Sequence, residues 1–221
     1  MKKLLLALII LSVALTGAFA QNDGFIKVTT AIGFGSSNIE QETSTTYLGL
    51  PRFTEIDGDG FTVLTGIDFV HPLGITLGLK YTFLSGHNYE IRTKIPAGVP
   101  LQESDNQSQS MFSFGLGYTY DGGEWCAGAK LMFLYNDFSY INIPSGISTA
   151  QGNTPHFDLG IALDGTYWIM DRLGITALFD IYFLRQNIDY TWTVIGDQTY
   201  KFDQSIKGTL FVAGLGVSLK F

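Results

Sequence analysis

From Phe61 onward apolar and polar residues take turns. Phe61, Val63, Thr65, Ile67 and Phe69 hold the odd positions, and Thr62, Leu64, Gly66, Asp68 and Val70 the even ones. Successive side chains of an extended chain point to opposite faces, so this alternation gives a strand one apolar and one mixed face. The pattern returns in Ile75, Leu77, Leu79, Tyr81, Phe83, in Phe112, Phe114, Leu116, Tyr118, Tyr120, and in Trp125, Ala127, Ala129, Leu131, Phe133, Tyr135. Further along it appears as Ile175, Ala177, Phe179, Ile181, Phe183 and as Phe211, Ala213, Leu215, Val217, Leu219, Phe221. The chain predicts eight strands, near 24–35, 60–70, 75–85, 110–120, 125–136, 156–168, 175–185 and 207–221.

The connections alternate as well. His71-Pro72-Leu73-Gly74, Asp121-Gly122-Gly123-Glu124 and Met170-Asp171-Arg172-Leu173-Gly174 hold the Gly, Pro and Asp that tight turns need. Between them lie polar stretches near 36–59, 86–109, 137–155 and 186–206. These are well above hairpin length and read as loops. Short connections at one end and long ones at the other are the plan of a transmembrane barrel, with turns in the periplasm and loops outside.

The second face decides between a soluble and a membrane barrel. It carries Gly33, Gly66, Gly78, Gly115, Gly117, Gly128, Gly160, Gly214 and Gly216, together with Lys27, Lys80, Lys130, Lys220, Asp68, Asp158, Asp164 and Asp180. Glycine on an outer wall would weaken every strand, whereas a narrow eight-stranded interior has room for little else. The glycine face therefore points inward and the apolar face outward. Through the strand centres the apolar parity carries no charged residue. Aromatics gather toward the ends: Phe69, Tyr118, Tyr120, Trp125, Tyr167 and Phe221 at the turn end, and Phe34, Phe61, Phe83, Phe112, Phe133, Tyr135, Phe157 and Phe183 at the loop end. Two aromatic girdles flanking an apolar band suit two membrane interfaces.

The first twenty residues change the picture of where the chain goes. Lys2 and Lys3, an apolar run from Leu4 to Leu15, and Ala18-Phe19-Ala20 follow the order of a secretory signal peptide. Residues 1–20 are expected to be the leader and 21–221 the barrel domain. Losing the two leader lysines takes the formal charge from -7 to about -9, a balance that argues against a nucleic-acid partner. The single cysteine, Cys126, makes no internal disulfide and stands too far from the cut to carry a lipid. It reads as a small apolar filler of the inward face.

The chain closes on Leu215, Val217, Leu219 and Phe221, alternate apolar residues ending in a terminal phenylalanine. This resembles the C-terminal assembly signal of Gram-negative outer-membrane barrels. With the leader, the loop pattern and the size, the chain is similar to the eight-stranded family typified by OmpX, OmpA and OmpW. The resemblance implies an all-β, closed antiparallel up-and-down transmembrane β-barrel set in outer-membrane lipid. It also implies delivery by the barrel-assembly machinery through the last strand.

Candidate chemistry is sparse. His71 falls in a turn and His87 in a long stretch, both readable as solvated polar residues. His156 and Asp158 share the inward parity but stand about 7 Å apart along a strand, too far for a base and its orienting acid. Asp57-Gly58-Asp59-Gly60 opens like a calcium loop but lacks the later acidic ligands, and reads as a turn before the second strand. No catalytic, cofactor-binding or metal-ligating set emerges, and no cofactor is implied.

The interior charges say more, since four lysines balance four aspartates and a lumen without a surplus of one sign suits pairing across it. Counting from the tight turns puts Lys80, Lys130, Asp164 and Asp180 in one belt, with Asp164 and Asp180 side by side, and Lys27, Asp68 and Lys220 in a cluster nearer the periplasm.

The expected role is non-enzymatic, structural or surface-interacting through the outer loops, with a host or surface partner unnamed. The alternative is an OmpW-like channel or binding barrel for small hydrophobic molecules, with Leu64, Leu84, Met111, Met132 and Tyr182 lining an outer mouth. A lipid-modifying enzyme ranks third, on His156 alone. Deleting Phe221 should leave export intact while lowering the amount of folded protein in the outer membrane, because the last strand loses its signal and its aromatic anchor. Immunoblots of membrane fractions check this, and unchanged levels would remove the signal role.

Overall fold

The computed structural model describes residues 24–45, 52–94, 101–136, 156–194 and 198–221. Residues 1–23, which include the expected leader, and the 137–155 stretch lie outside the described residues. Eight antiparallel strands run in chain order: β1 (Phe25–Thr45), β2 (Arg52–Val70), β3 (Ile75–Lys94), β4 (Leu101–Asp121), β5 (Trp125–Asn136), β6 (His156–Met170), β7 (Leu173–Val194) and β8 (Gln198–Lys220). Each pairs with its sequence neighbours, and β8 pairs with β1 to close the barrel. The seam runs from Lys27 opposite Lys220 to Thr45 opposite Phe202. Ile26 and Phe221 extend it with a reciprocal pair of backbone hydrogen bonds, 3.0 and 2.9 Å. The terminal residue is thus part of the closure.

The parity derived from the sequence holds throughout the described wall. Ile32, Phe112, Leu116, Leu163, Ile175, Leu215 and Val217 are exposed on the outside, while Leu64, Leu84, Met111, Met132, Leu210 and Val212 are buried inside. On β8 the outward apolar residues from Phe211 to Phe221 cover about 25 Å once strand tilt is allowed for, the height of an outer-membrane hydrocarbon band. Phe69 departs from the girdle expected of it. It is buried, with Ile26 and Leu77 as its partners on the two flanking strands.

The tight turns fall where the sequence put them. Gly74 and Gly123 take positive φ, 83° and 84°. A β-carbon on Gly74 would also strike the Tyr118 ring at 2.5 Å. In the β4–β5 turn the Asp121 carboxylate accepts a hydrogen bond from the Gly123 N–H at 3.0 Å. His71 serves its own turn: its carbonyl accepts from Gly74 N–H at 2.7 Å and its Nδ1 from Leu73 N–H at 3.2 Å.

Three of the expected loops are largely strand. The ladder of β1 and β2 continues past the apolar band to Thr43 opposite Arg52, and that of β7 and β8 to Val194 opposite Gln198. In β3 and β4 it reaches Thr93 opposite Leu101. There the apolar–polar alternation fades in the sequence while the backbone pairing goes on. Asp57-Gly58-Asp59-Gly60 belongs to this region. It is not a turn before β2 but part of β2, with a bulge between Asp59 and Phe61, and Asn38 donates to the Asp57 carboxylate at 2.7 Å. Among the described residues β5 and β6 are shorter, 12 and 15 residues against 19 to 23 for the others.

Leu79 sits mid-strand on the outer wall, between Ile67 of β2 and Phe114 of β4. Leu79→Arg should destabilise the barrel by about 2–4 kcal/mol, the cost of a cation facing hydrocarbon near the midplane. Urea unfolding in lipid vesicles checks this, and a neutral result would overturn the outward placement.

Candidate functional site

The inward parity of eight strands fills the lumen in layers. At the periplasmic end Phe25, Val70 and Trp168 are buried. The Lys220 ammonium stands 4.2 Å from the centre of the Phe25 ring and 5.5 Å from that of Trp168, and donates to Asp121 at 2.8 Å. Above this end lies a ring of hydroxyls. Thr29 and Ser218 meet at 2.6 Å, Ser218 and Thr176 at 2.5 Å, and Thr176 and Thr166 at 2.8 Å, joining β1, β8, β7 and β6. Thr76 donates to Thr119 at 2.8 Å on the opposite wall. A hydroxyl can both give and accept, so these bonds run from hydroxyl to hydroxyl within the layer.

The next layer is ionic. Lys130 of β5 reaches across the lumen to Asp68 of β2, with Nζ 2.8 Å from both carboxylate oxygens. Lys27 of β1 reaches across to Asp164 of β6 and donates to it. Links between adjacent strands close a cycle: Lys27 to Asp68 at 3.4 Å and Lys130 to Asp164 at 2.9 Å. The four side chains are 1–12% exposed. Two cations and two anions alternate around the ring, so every charge has two opposite neighbours and the layer is neutral. Glycine makes the space for it. A β-carbon on Gly78 would stand 2.7 Å from the Asp68 carboxylate, and one on Gly128 2.9 Å from that of Asp164.

Higher up, Lys80 of β3 donates to both oxygens of Asp180 on β7 at 2.7 Å. The Tyr182 hydroxyl adds a bond of 3.4 Å to the same carboxylate and lies 3.2 Å from Ser113 Oγ. Above that pair the interior is mostly apolar, with Leu64, Leu84, Met111, Met132, Leu134 and Leu210 each 1% exposed and Thr62, Thr82 and Asp158 buried on the same inward parity.

The charges are grouped differently from the belt that the sequence suggested. Lys80 and Asp180 form their own layer, while Lys130 and Asp164 combine with Lys27 and Asp68. Lys220 leaves that lower cluster for the turn residue Asp121. Counting from the turns treated all strands as level, and the stagger of a barrel makes them unequal. The register shows it: Ala162, not Asp164, lies opposite Asp180. The expected like-charge pair is therefore absent, and the lysine stems span the remaining offsets. Asp121 was missed because it lies in a turn, where its carboxylate reads as a turn-former.

Asp158 has a different task. Its buried carboxylate accepts from the Arg185 backbone N–H at 2.8 Å, two residues beyond the last β6–β7 pair, Leu159 opposite Phe183. Cys126 is buried on the inner wall beside the hydroxyl layer, opposite Thr166. His87 and His156 lie in β3 and β6, with side chains outside the described residues.

Comparison with known proteins bears on this barrel through its fold. No family profile matches the chain, and no curated protein matches it. Among solved structures it is similar to the outer membrane protein OprG from Pseudomonas aeruginosa, at 13% identity and a TM-score of 0.56, over 90% of this chain and 97% of that one. The chain shares the fold of that barrel: eight antiparallel strands closed in chain order. The N-terminal barrel of OprF from the same organism matches at 10% identity and TM-score 0.41, over 90% of this chain and all of that one. Neisserial surface protein A matches at 12% and 0.40, over 86% and 97%.

The ionic ring of this barrel generates a test by subtraction. Lys27→Met with Lys130→Met leaves Asp68 and Asp164 buried without cations and should cost about 3–5 kcal/mol, whereas adding Asp68→Leu and Asp164→Leu should restore most of it. Unfolding midpoints in detergent or vesicles check the order. A double variant as stable as the quadruple one would remove the ring from the account of stability.

Proposed function

We propose that this protein is a closed, non-enzymatic outer-membrane barrel whose role is structural and surface-interacting, carried by the strand extensions and connections outside the membrane. The observation supporting this reading is the filled lumen. From the Lys220 end to Leu210 every layer is side chain against side chain, with Thr62, Thr76, Asp180, Tyr182, Val212 and Ser218 fully buried. An ionic ring, a second cross-lumen pair and a largely apolar core stand in series across any axial path.

The residues assigned on sequence grounds to an apolar outer mouth occupy the packed core itself: Leu64, Leu84, Met111 and Met132 are 1% exposed, and Tyr182 is closed off by its bonds to Asp180 and Ser113. Passage of small hydrophobic molecules through this barrel would require that core to open. A wall held by eight strand pairs is instead a stiff support for the polar extensions of β1–β4, β7 and β8.

In planar bilayers the wild type should show no steady conductance, and vesicles carrying it should take up small apolar dyes no faster than empty vesicles. A stable open channel would overturn the closed reading. Barrel-dependent dye uptake without conductance would shift the assignment to hydrophobic transport.

A further inference from the structure

On the outer wall, one row of the ladder carries charge just above the apolar band. Arg185 of β7 lies opposite Lys207 of β8, Lys207 opposite Glu40 of β1, and Glu40 opposite Glu55 of β2. Arg185, Lys207 and Glu40 are exposed on the outward parity. Arg185 is one outward step above Phe183, and Lys207 two above Phe211. Like charges directly opposite on paired strands repel. Among the described residues neither cation makes an ion pair, and of the two only Lys207 has Glu40 opposite it.

A second feature lies beneath on the same strands. A shallow groove crosses the wall from β5 to β2, lined by Gly165, Ala177 and Ala213 together with Leu215, Phe34 and Phe179. Gly165 faces open space, since a β-carbon there would meet nothing within 4 Å. Lys207 and Ala213 are six residues apart on β8, about 20 Å along the strand and roughly 15 Å in depth after tilt. A lipid acyl chain spans that depth.

We propose that Arg185 and Lys207 form a seat for a phosphate group of an outer-leaflet glycolipid, with one of its acyl chains lying in the groove below. The guanidinium fork suits a phosphate in two-point contact and the ammonium adds a point charge beside it. The phosphate lies between the two cations and cancels their repulsion. Glu40 is held on the far side of Lys207 and bounds the seat toward β1. The small lining residues admit hydrocarbon where Leu or Phe would fill the space.

The test uses the full-length protein in detergent, with bound lipid counted by native mass spectrometry. Probes are a bis-phosphorylated, multiply acylated glucosamine disaccharide, its dephosphorylated form, and inorganic phosphate. Arg185→Gln with Lys207→Gln should weaken retention of the phosphorylated lipid at least tenfold, and the dephosphorylated lipid should bind wild type as weakly. Ala177→Leu with Ala213→Leu should weaken it severalfold by filling the groove, and millimolar inorganic phosphate should not displace it. Resistance to unfolding in cold SDS confirms that each variant is folded. Should the double Gln variant not fold, Glu40→Gln serves instead, and removing the competing carboxylate should tighten binding severalfold. Equal affinity for both lipids, or displacement by inorganic phosphate alone, would overturn the seat, as would a folded double Gln variant, or Glu40→Gln in its place, that binds like wild type.

Discussion

Four charges withdrawn from water at the heart of a narrow barrel can persist only if each is answered twice. Lys27, Asp68, Lys130 and Asp164 achieve this by alternating around a closed cycle in which two of the links cross the lumen. The desolvation of four ions is the largest local penalty in the fold, and the ring leaves no ion facing a like neighbour or bare hydrocarbon. Much else follows from fitting it in. Inward glycines on β3 and β5 leave the volume that the carboxylates and lysine stems fill. The linked hydroxyls below supply a polar floor, and the Lys80–Asp180 pair caps the ring before the interior turns mostly apolar.

Sequence patterning revealed the wall because the wall obeys a local rule. Period-two alternation, glycine concentrated on the inward parity, and Gly, Pro and Asp at the turns are each readable within a dozen residues, and along the described wall the inward and outward sets stand as derived apart from Phe69. The outer strands were not readable for the same reason. Above the apolar band Gln41, Glu42 and Thr43 of β1 pair with Thr54, Phe53 and Arg52 of β2. Such a stretch carries no period-two alternation of apolar and polar residues, so it looks like loop. Only the long-range register identifies it as strand.

The charge groupings failed to emerge for a different physical reason. Which lysine meets which aspartate depends on stagger, a property of the closed barrel and not of any one strand. A shift of two residues between neighbours, as between Asp164 and Asp180, changes the layer in which a side chain lies. Lysine adds to the ambiguity, because its long stem allows Lys130 to meet both Asp68 across the lumen and Asp164 on the adjacent strand. Composition reported that the interior is neutral. Geometry alone decided that neutrality is reached in separate layers.

Separate layers have a consequence for how inside and outside are linked. A ring deep in the lumen holds β1, β2, β5 and β6 in fixed relation, and the Lys80–Asp180 pair ties β3 to β7, so most of the wall is braced through its centre. At the upper edge Asp158 carries the bracing outward: its carboxylate sits inside, yet it holds the backbone of Arg185, whose side chain points to the outer surface. The N–H it engages lies just past the last β6–β7 partners, where β7 goes on with β8 alone among the described residues. One interior acid thus fixes the place where the membrane wall ends, the polar extension begins and the exposed cation of β7 stands beside Lys207. The closed interior and the charged outer rim are in this sense one construction, since a wall free to breathe could not hold two like charges at a set height above the hydrocarbon.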